Sequence, residues 1–260
     1  MSEPLLVQLI ADYGVGDPAF GEVTQKLHLL DPSLKVVPTS IPRFSTIATG
    51  FWTAQYALVH PAPGMVIYTN TAPRKDNKES RQQGEGERLI YAKLTNGIAI
   101  VGVHAGYCFS FVKSYIADLH MVNVANKGSQ FRSRDFYPEA VAAVARGKLD
   151  MLGEKLDPAS IPDVPQSHVA WIDGYGNMKT TVRSSAVTYK PGDVLTLTIN
   201  GISRPALYTD GTFSVREGQL AFAPGSSGGE DRFMEIFLRG LSAHQEFDYP
   251  SVETEFTISI

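Results

Sequence analysis

A single cysteine stands in 260 residues. Cys108 cannot close an internal disulfide, which suits a reducing cytoplasm; between Tyr107 and Phe109 it reads as core filling, with a reactive thiol as the alternative. Positive charge is not in excess either. The formal net charge is -4, which offers no attractive field to a phosphate backbone, so no nucleic-acid partner is expected. No apolar run approaches the ~18 residues of a bilayer-spanning helix, so no membrane partner is expected. Met1-Ser2-Glu3-Pro4 lacks the cationic start of a secretory signal. The six histidines show no ligand spacing and no cysteines cluster with them, so no metal is expected. Gly-x-Ser-x-Gly is missing. So is the glycine triplet of a dinucleotide site, because the first candidate turn reads Asp12-Tyr13-Gly14-Val15-Gly16-Asp17.

That turn ends the most informative stretch, residues 5 to 17. Its apolar run has no helical period and finishes on an acid and two glycines, the pattern of a buried parallel strand that delivers a carboxylate to its C-terminal end. Ligands sit at that end in open α/β sheets. Asp17-Pro18 then opens a helix from Ala19 to Leu30, with Asp17 as N-cap. A strand from Leu34 to Pro38, a helix from Ser45 to Val59 and a strand from Met65 to Thr69 continue a parallel-sheet rhythm. Residues 74 to 88 are polar and of mixed charge with no apolar anchor, which reads as a mobile surface loop, or as a lid if a pocket lies beside it. Thr95-Asn96-Gly97 marks a hairpin between Leu89–Leu94 and Ile98–Val103. A short helix over Gly106–Lys113, a strand over Leu119–Val124 and a helix over Asp135–Arg146 follow. Three prolines without periodicity make 154–166 a connection. Beyond it, short alternating segments around Val169, Met178, Leu195, Ala206, Leu220, Met234 and Phe256 are separated by turn residues. The expected architecture is an α/β N-terminal domain with a mostly parallel sheet over 1–153, the connection, and a smaller all-β barrel or sandwich over 167–260.

With Asp12-Tyr13-Gly14, Asp17, Phe131-Arg132-Ser133-Arg134-Asp135 and Ile172-Asp173-Gly174-Tyr175-Gly176-Asn177 set out, the chain resembles the S-adenosylmethionine hydroxide adenosyltransferase family, which includes the fluorinase and the chlorinase. The resemblance spans nearly the whole length, with the motifs in the same order. It implies that Asp12 holds the ribose hydroxyls, that Asp17 helps hold the methionine end and that Phe44 covers the ribose. It also implies that Phe131 to Asp135 forms a wall of the nucleophile pocket, with Ser133 beside the nucleophile. By the same resemblance Asp173 holds the amino group, Tyr175 stacks on the adenine, Asn177 reads its edge, and the segment with Arg239 and Ser242 closes the carboxylate and adenine site. A homotrimer with sites between subunits is implied as well. S-adenosylmethionine is the substrate, and no cofactor is expected.

The chain departs from the pattern where the nucleophile is held. Members that transfer hydroxide use an Asp-Arg-His set, yet Asn70 replaces the strand-end acid and Arg132 the histidine. Asn70 is neutral and Arg132 cannot accept a proton. Thr71 and Ser133 are the hydroxyls expected beside the nucleophile, which attacks the 5′ carbon and expels a neutral thioether, so that positioning and water removal dominate the catalytic task. Slow hydrolysis, with turnover favouring a small anion drawn by Arg132, is the expected outcome; a non-catalytic binder of adenosine or S-adenosylmethionine is the alternative. Taken alone, Asp173 to Asn177 also fits a plain hairpin turn, and Arg132 a surface ion pair.

Overall fold

The computed structural model describes residues 5–74, 79–80, 85–211 and 214–260. The first four residues and part of the polar 74–88 stretch therefore lie outside the described residues. The chain divides between Asp163 and Val164 into two units.

In the first unit the opening apolar run forms β1 (Leu5–Ala11), with Val7, Leu9 and Ile10 fully buried. The helix α1 (Pro18–Leu30) begins where Asp17 accepts the Ala19 N–H at 2.8 Å. It leads to β2 (Leu34–Ser40), α2 (Thr46–Leu58), which Ser45 caps, and β3 (Val66–Asn70). The hairpin of β4 (Leu89–Leu94) and β5 (Ala99–Val103) turns at Gly97, whose φ of 88° suits only glycine. A 3-10 turn (Ser110–Tyr115) and β6 (Ile116–Val122) follow. The helix expected over Asp135–Arg146 is two, α3 (Arg132–Asp135) and α4 (Tyr137–Ala145), broken at Phe136. The strand β7 (Leu152–Lys155) completes a seven-stranded sheet in the order β2-β1-β3-β5-β4-β6-β7.

The mostly parallel α/β domain expected from the strand and helix rhythm is not what forms. The pairs β1–β2, β1–β3 and β3–β5 are parallel, whereas β4–β5, β4–β6 and β6–β7 are antiparallel. The sheet is mixed, and only α1 and α2 reach thirteen residues. The reason lies in the Asn96-Gly97 turn: a tight hairpin can join only antiparallel neighbours, so the parallel rhythm ends at β3. The connection expected over 154–166 begins inside β7, carries a 3-10 turn at Pro158–Ser160 and buries Ile161.

The second unit holds seven strands, one at each of the seven apolar segments: β8 (Val169–Ile172), β9 (Met178–Arg183), β10 (Val194–Ile199), β11 (Ile202–Tyr208), β12 (Leu220–Pro224), β13 (Phe233–Leu238) and β14 (Phe256–Ser259). They order as β14-β10-β11-β12-β13-β9-β8, with β11–β12 the one parallel pair among the described residues. The two edges are bonded to each other, Val169 N–H to Thr254 O at 2.9 Å and Phe256 N–H to Ser167 O at 2.8 Å. The sheet thus closes around its own core of Leu195, Leu197, Phe222, Met234, Ile236 and Phe256.

Tight packing in the first sheet is testable at Gly102 on β5. A Cβ there would stand 1.9 Å from Thr69 Oγ1 and 3.2 Å from the Phe109 ring. Overpacking of this kind typically costs about 1–3 kcal/mol, so Gly102→Ala is expected to lower the unfolding free energy by that amount, read as a lower urea midpoint at an unchanged m-value.

Candidate functional site

Strand polarity decides which residues share an edge of the first sheet. The C-terminal ends of β1, β3 and β5 lie together, and β4, running the opposite way, brings its N-terminal end to the same place: Leu89 pairs Val103, and the His104 N–H reaches Arg88 O at 2.8 Å. The strand β6 is antiparallel to β4 and so runs with β5, delivering the segment after Val122 to that edge. A cavity of about 550 Å³ opens there.

Seven of the residues chosen from sequence line it: Asp12, Asp17, Phe44, Asn70, Phe131, Arg132 and Ser133. Asp12 follows β1 directly. Its Oδ2 accepts the Phe44 N–H at 3.0 Å. Burial pushes its carboxyl above the usual carboxylate range, against the lowering pull of the Phe44 and Asp12 amides and of Arg74, and the negative charge of Glu87 acts in the same direction as burial. Phe44 makes that bond at a φ of 62°, the left-handed region that a bulky side chain rarely occupies, and the residue is 49% exposed.

A hydroxyl network lies beside Asp12. Ser133 Oγ lies 2.6 Å from the Tyr13 hydroxyl, which accepts the Asn70 side-chain N–H at 3.2 Å, while the fully buried Tyr68 donates to the Ser133 carbonyl at 2.7 Å. The loop before α3 is braced by Ser129, which donates to Asp135 and accepts the Phe131 N–H at 2.9 Å. Arg134 continues the brace with ion pairs to Glu22 on α1 and to Asp135. Arg132 donates to the carbonyls of Glu87 (3.2 Å) and Asn126 (3.3 Å) and to the Asn126 side chain. All three bonds come from Nη1 and go to neutral oxygens.

Thr71 is not in the cavity wall. In the extended segment after β3 Asn70 and Ala72 face the cavity, so the residue between them points the other way. Its hydroxyl is fully buried against Thr49 of α2 at 2.8 Å.

The second-unit candidates form a cluster of their own. Asp173 accepts the N–H groups of Tyr175 (2.9 Å) and Asn177 (3.0 Å) and the Asn177 side-chain N–H (3.0 Å), closing the turn between β8 and β9. Gly176, at a φ of 80°, abuts Ser242, where a Cβ would lie 2.0 Å from Oγ. Ser242 caps the short helix α5 (Ala243–Glu246), and the His244 N–H bonds Gly176 O at 2.8 Å. Tyr175 is 83% exposed. Arg239 donates to the Val215 carbonyl.

Sequence reasoning assigned no role to Tyr13, Glu87 or Tyr137, all of which line the cavity. Glu87 is 3% exposed, and one carboxylate oxygen takes the Arg74 N–H at 2.6 Å. Its place two residues before a strand of a recognised hairpin is the available signal. Among the described residues the wall carries five carboxylates (Asp12, Asp17, Glu79, Glu85, Glu87) and three guanidiniums (Arg43, Arg74, Arg132). Among the described residues no group of three or more acid, histidine or cysteine side chains could hold a metal ion, and no helix is long and apolar enough to cross a membrane.

No protein-family model matches the chain, and no curated protein matches it. Among solved structures it is similar to an uncharacterized conserved protein from Thermotoga maritima, at 19% identity over 97% of this chain and 100% of that one, with a TM-score of 0.78. It is also similar to a conserved hypothetical protein from Thermus thermophilus, at 18% identity over 99% and 100% of the two chains, with a TM-score of 0.70. The likeness is one of fold.

The Asp12 carboxyl yields a signed expectation. Its folded pKa is raised, so the native state binds more protons than the unfolded chain between the ordinary and the raised value, and the ionised acid lowers stability above that window. Asp12→Asn keeps an acceptor for the Phe44 N–H. It is expected to raise the Tm of the ligand-free protein at neutral pH, a gain that shrinks once acid has protonated wild-type Asp12; thermal melts at neutral and acid pH read it directly. Phe44→Gly removes a strain of about 1–3 kcal/mol, so no loss of Tm is expected despite the deleted ring.

Proposed function

We propose that the protein binds S-adenosylmethionine in the first-unit cavity and cleaves it by attack of water or a small anion at the 5′ carbon, giving methionine and a 5′-substituted adenosine. The observation that carries this reading is the convergence on one cavity of Asp12, Phe44, Asn70, Phe131 and Ser133, separated by up to 121 positions in sequence and each chosen from sequence by the family resemblance. Two further features support it. Among the described lining residues carboxylates outnumber guanidiniums, which suits a ligand carrying a sulfonium and an ammonium charge. The desolvated Asp12 carboxylate lies where two vicinal hydroxyls would supply the donors it lacks.

Each chain would supply Asp12, Asp17 and Phe44 from its first unit. Asp173, Tyr175 and Asn177 would come from the second unit of a neighbouring copy in a homotrimer. A second reading, a binder without turnover, draws on Asn70, which already donates to Tyr13 and cannot act as a base. The protein in either case is read as working without a cofactor.

Incubation with S-adenosylmethionine, followed by mass analysis of the adenosyl product, is expected to show methionine release; binding without release selects the second reading, and no binding by calorimetry defeats both. Asp12→Ala is expected to weaken binding by about 1.5–3 kcal/mol, the value of hydrogen bonds to a charged group. Light scattering is expected to give three times the chain mass of 28.3 kDa, whereas a monomer that still binds would remove the shared-site arrangement.

A further inference from the structure

Two arginines of the cavity wall are uncommitted. Arg43 stands in the turn after β2 and Arg74 in the segment after β3. Neither guanidinium makes a hydrogen bond or an ion pair among the described residues, whereas Arg132 is bonded to Glu87 and Asn126. The two segments are fixed in the same way. Phe44, next to Arg43, holds a φ of 62° and gives its N–H to Asp12 at 3.0 Å, while Arg74 holds a φ of 59° and gives its N–H to the buried Glu87 at 2.6 Å. A left-handed backbone costs a non-glycine residue energy and persists where surrounding groups over-determine it. Here a carboxylate at an adjoining strand end sets each one. The charges of Arg74 and Glu87 both reach the Asp12 carboxyl, the first lowering its pKa and the second raising it, which puts the three groups in one corner of the wall.

A ligand carboxylate entering this cavity meets acids of like charge, which repel it. It is accommodated where a guanidinium with free donors offsets them, since the planar fork of N–H groups matches a carboxylate bidentately. The family resemblance assigns that task to the second-unit segment with Arg239, whose guanidinium donates to the Val215 carbonyl. We propose that Arg74 and Arg43 bind the carboxylate at the amino-acid end of the ligand, and that Glu87 is a positioning residue that sets Arg74 through its backbone amide. The proposal rests on the reading of the cavity as an S-adenosylmethionine site and names the residues that select an intact amino acid on the sulfonium. Asp12 takes the ribose hydroxyls of the same molecule, and the remaining acids of the wall offset its cationic groups.

Calorimetric titration with S-adenosylmethionine and with its decarboxylated analogue, which keeps the nucleoside, the sulfonium and the amine, reads the carboxylate alone. The wild type is expected to prefer the carboxylate-bearing compound by about 10- to 100-fold, the scale of hydrogen bonds between ionised partners. Arg74→Gln is expected to bring that ratio to one or below by weakening S-adenosylmethionine only, and Arg43→Gln to lower it part of the way. Both residues are exposed and make no internal bond with their guanidiniums, so an unchanged Tm is expected in each variant. Glu87→Leu removes the acceptor of the Arg74 amide and is expected to lose the preference, while Glu87→Gln keeps an oxygen there and is expected to retain it. A merely structural role for Glu87 would weaken both compounds alike. If Glu87→Leu does not fold, Arg74→Gln carries the test. A wild-type ratio near one, or a preference that survives both arginine substitutions, would overturn the clamp and leave the proposed function standing. A wild type that binds neither compound removes the proposed function and the clamp with it.

Discussion

The reversal of chain direction at β4 is the constraint on which the site depends. Inserted antiparallel between β5 and β6, this strand turns its N-terminal end toward the carboxyl ends of β1, β3 and β5. In a wholly parallel sheet residue 87 would lie at the opposite edge, about six residues or 20 Å away. The same reversal sets the direction of β6, so the braced loop with Phe131, Arg132 and Ser133 reaches the cavity rather than the far side. Sheet polarity and site composition are one fact seen at two scales.

The elements were largely legible because short-range chemistry defines them. Asp17 and Ser45 cap their helices as their positions before apolar-periodic segments suggest, and Gly97 turns the hairpin that its tripeptide announces. The sheet's polarity was not drawn out, although the hairpin contained it, because the strand–helix alternation up to residue 69 was extended past the point where Asn96-Gly97 forbids it. The site shows the same division. Asp12 and Asn70 could be placed because they sit at strand ends. Thr71, one residue further, was misplaced because the alternation of side chains about an extended backbone sends it to Thr49 and away from the cavity. Glu87 was hidden among the acids of a segment whose composition reads as solvated, and only the pairing of β4 separates it from its neighbours.

Conformational strain and desolvation meet at a single hydrogen bond. Phe44 holds a left-handed backbone in order to give its amide to Asp12, and Asp12 stays partly desolvated in order to receive it. Neither feature stabilises the fold by itself, and each is of the kind that persists where surrounding structure over-determines a residue for use. The Tyr13–Ser133–Asn70 network is different, since its hydroxyls and amide satisfy one another and the packing of Tyr13 on Phe20 and Phe131, with ring centres at 5.0 and 5.9 Å, makes it rigid. The Asp12–Phe44 bond carries strain and a desolvated charge, and the Tyr13 network carries neither.

This contrast bears on where binding energy would come from. A carboxylate offers about four acceptor positions. Asp173 has filled three of them with its own turn, so the bland role of that motif, closing a hairpin, is carried out whether or not a ligand arrives. Asp12 accepts the Phe44 amide and is helped by its own, in a setting that penalises its charge. A donor-rich ligand gains more by completing the coordination of a desolvated acid than of a satisfied one, because only the former exchanges an unmet need for a charge-assisted bond. The second-unit cluster keeps as its free resource the exposed ring of Tyr175, which suits stacking on a flat surface and not the capture of a charge. On the proposed function, polar selectivity would rest on Asp12, and the larger share of the affinity would come from the end of β1.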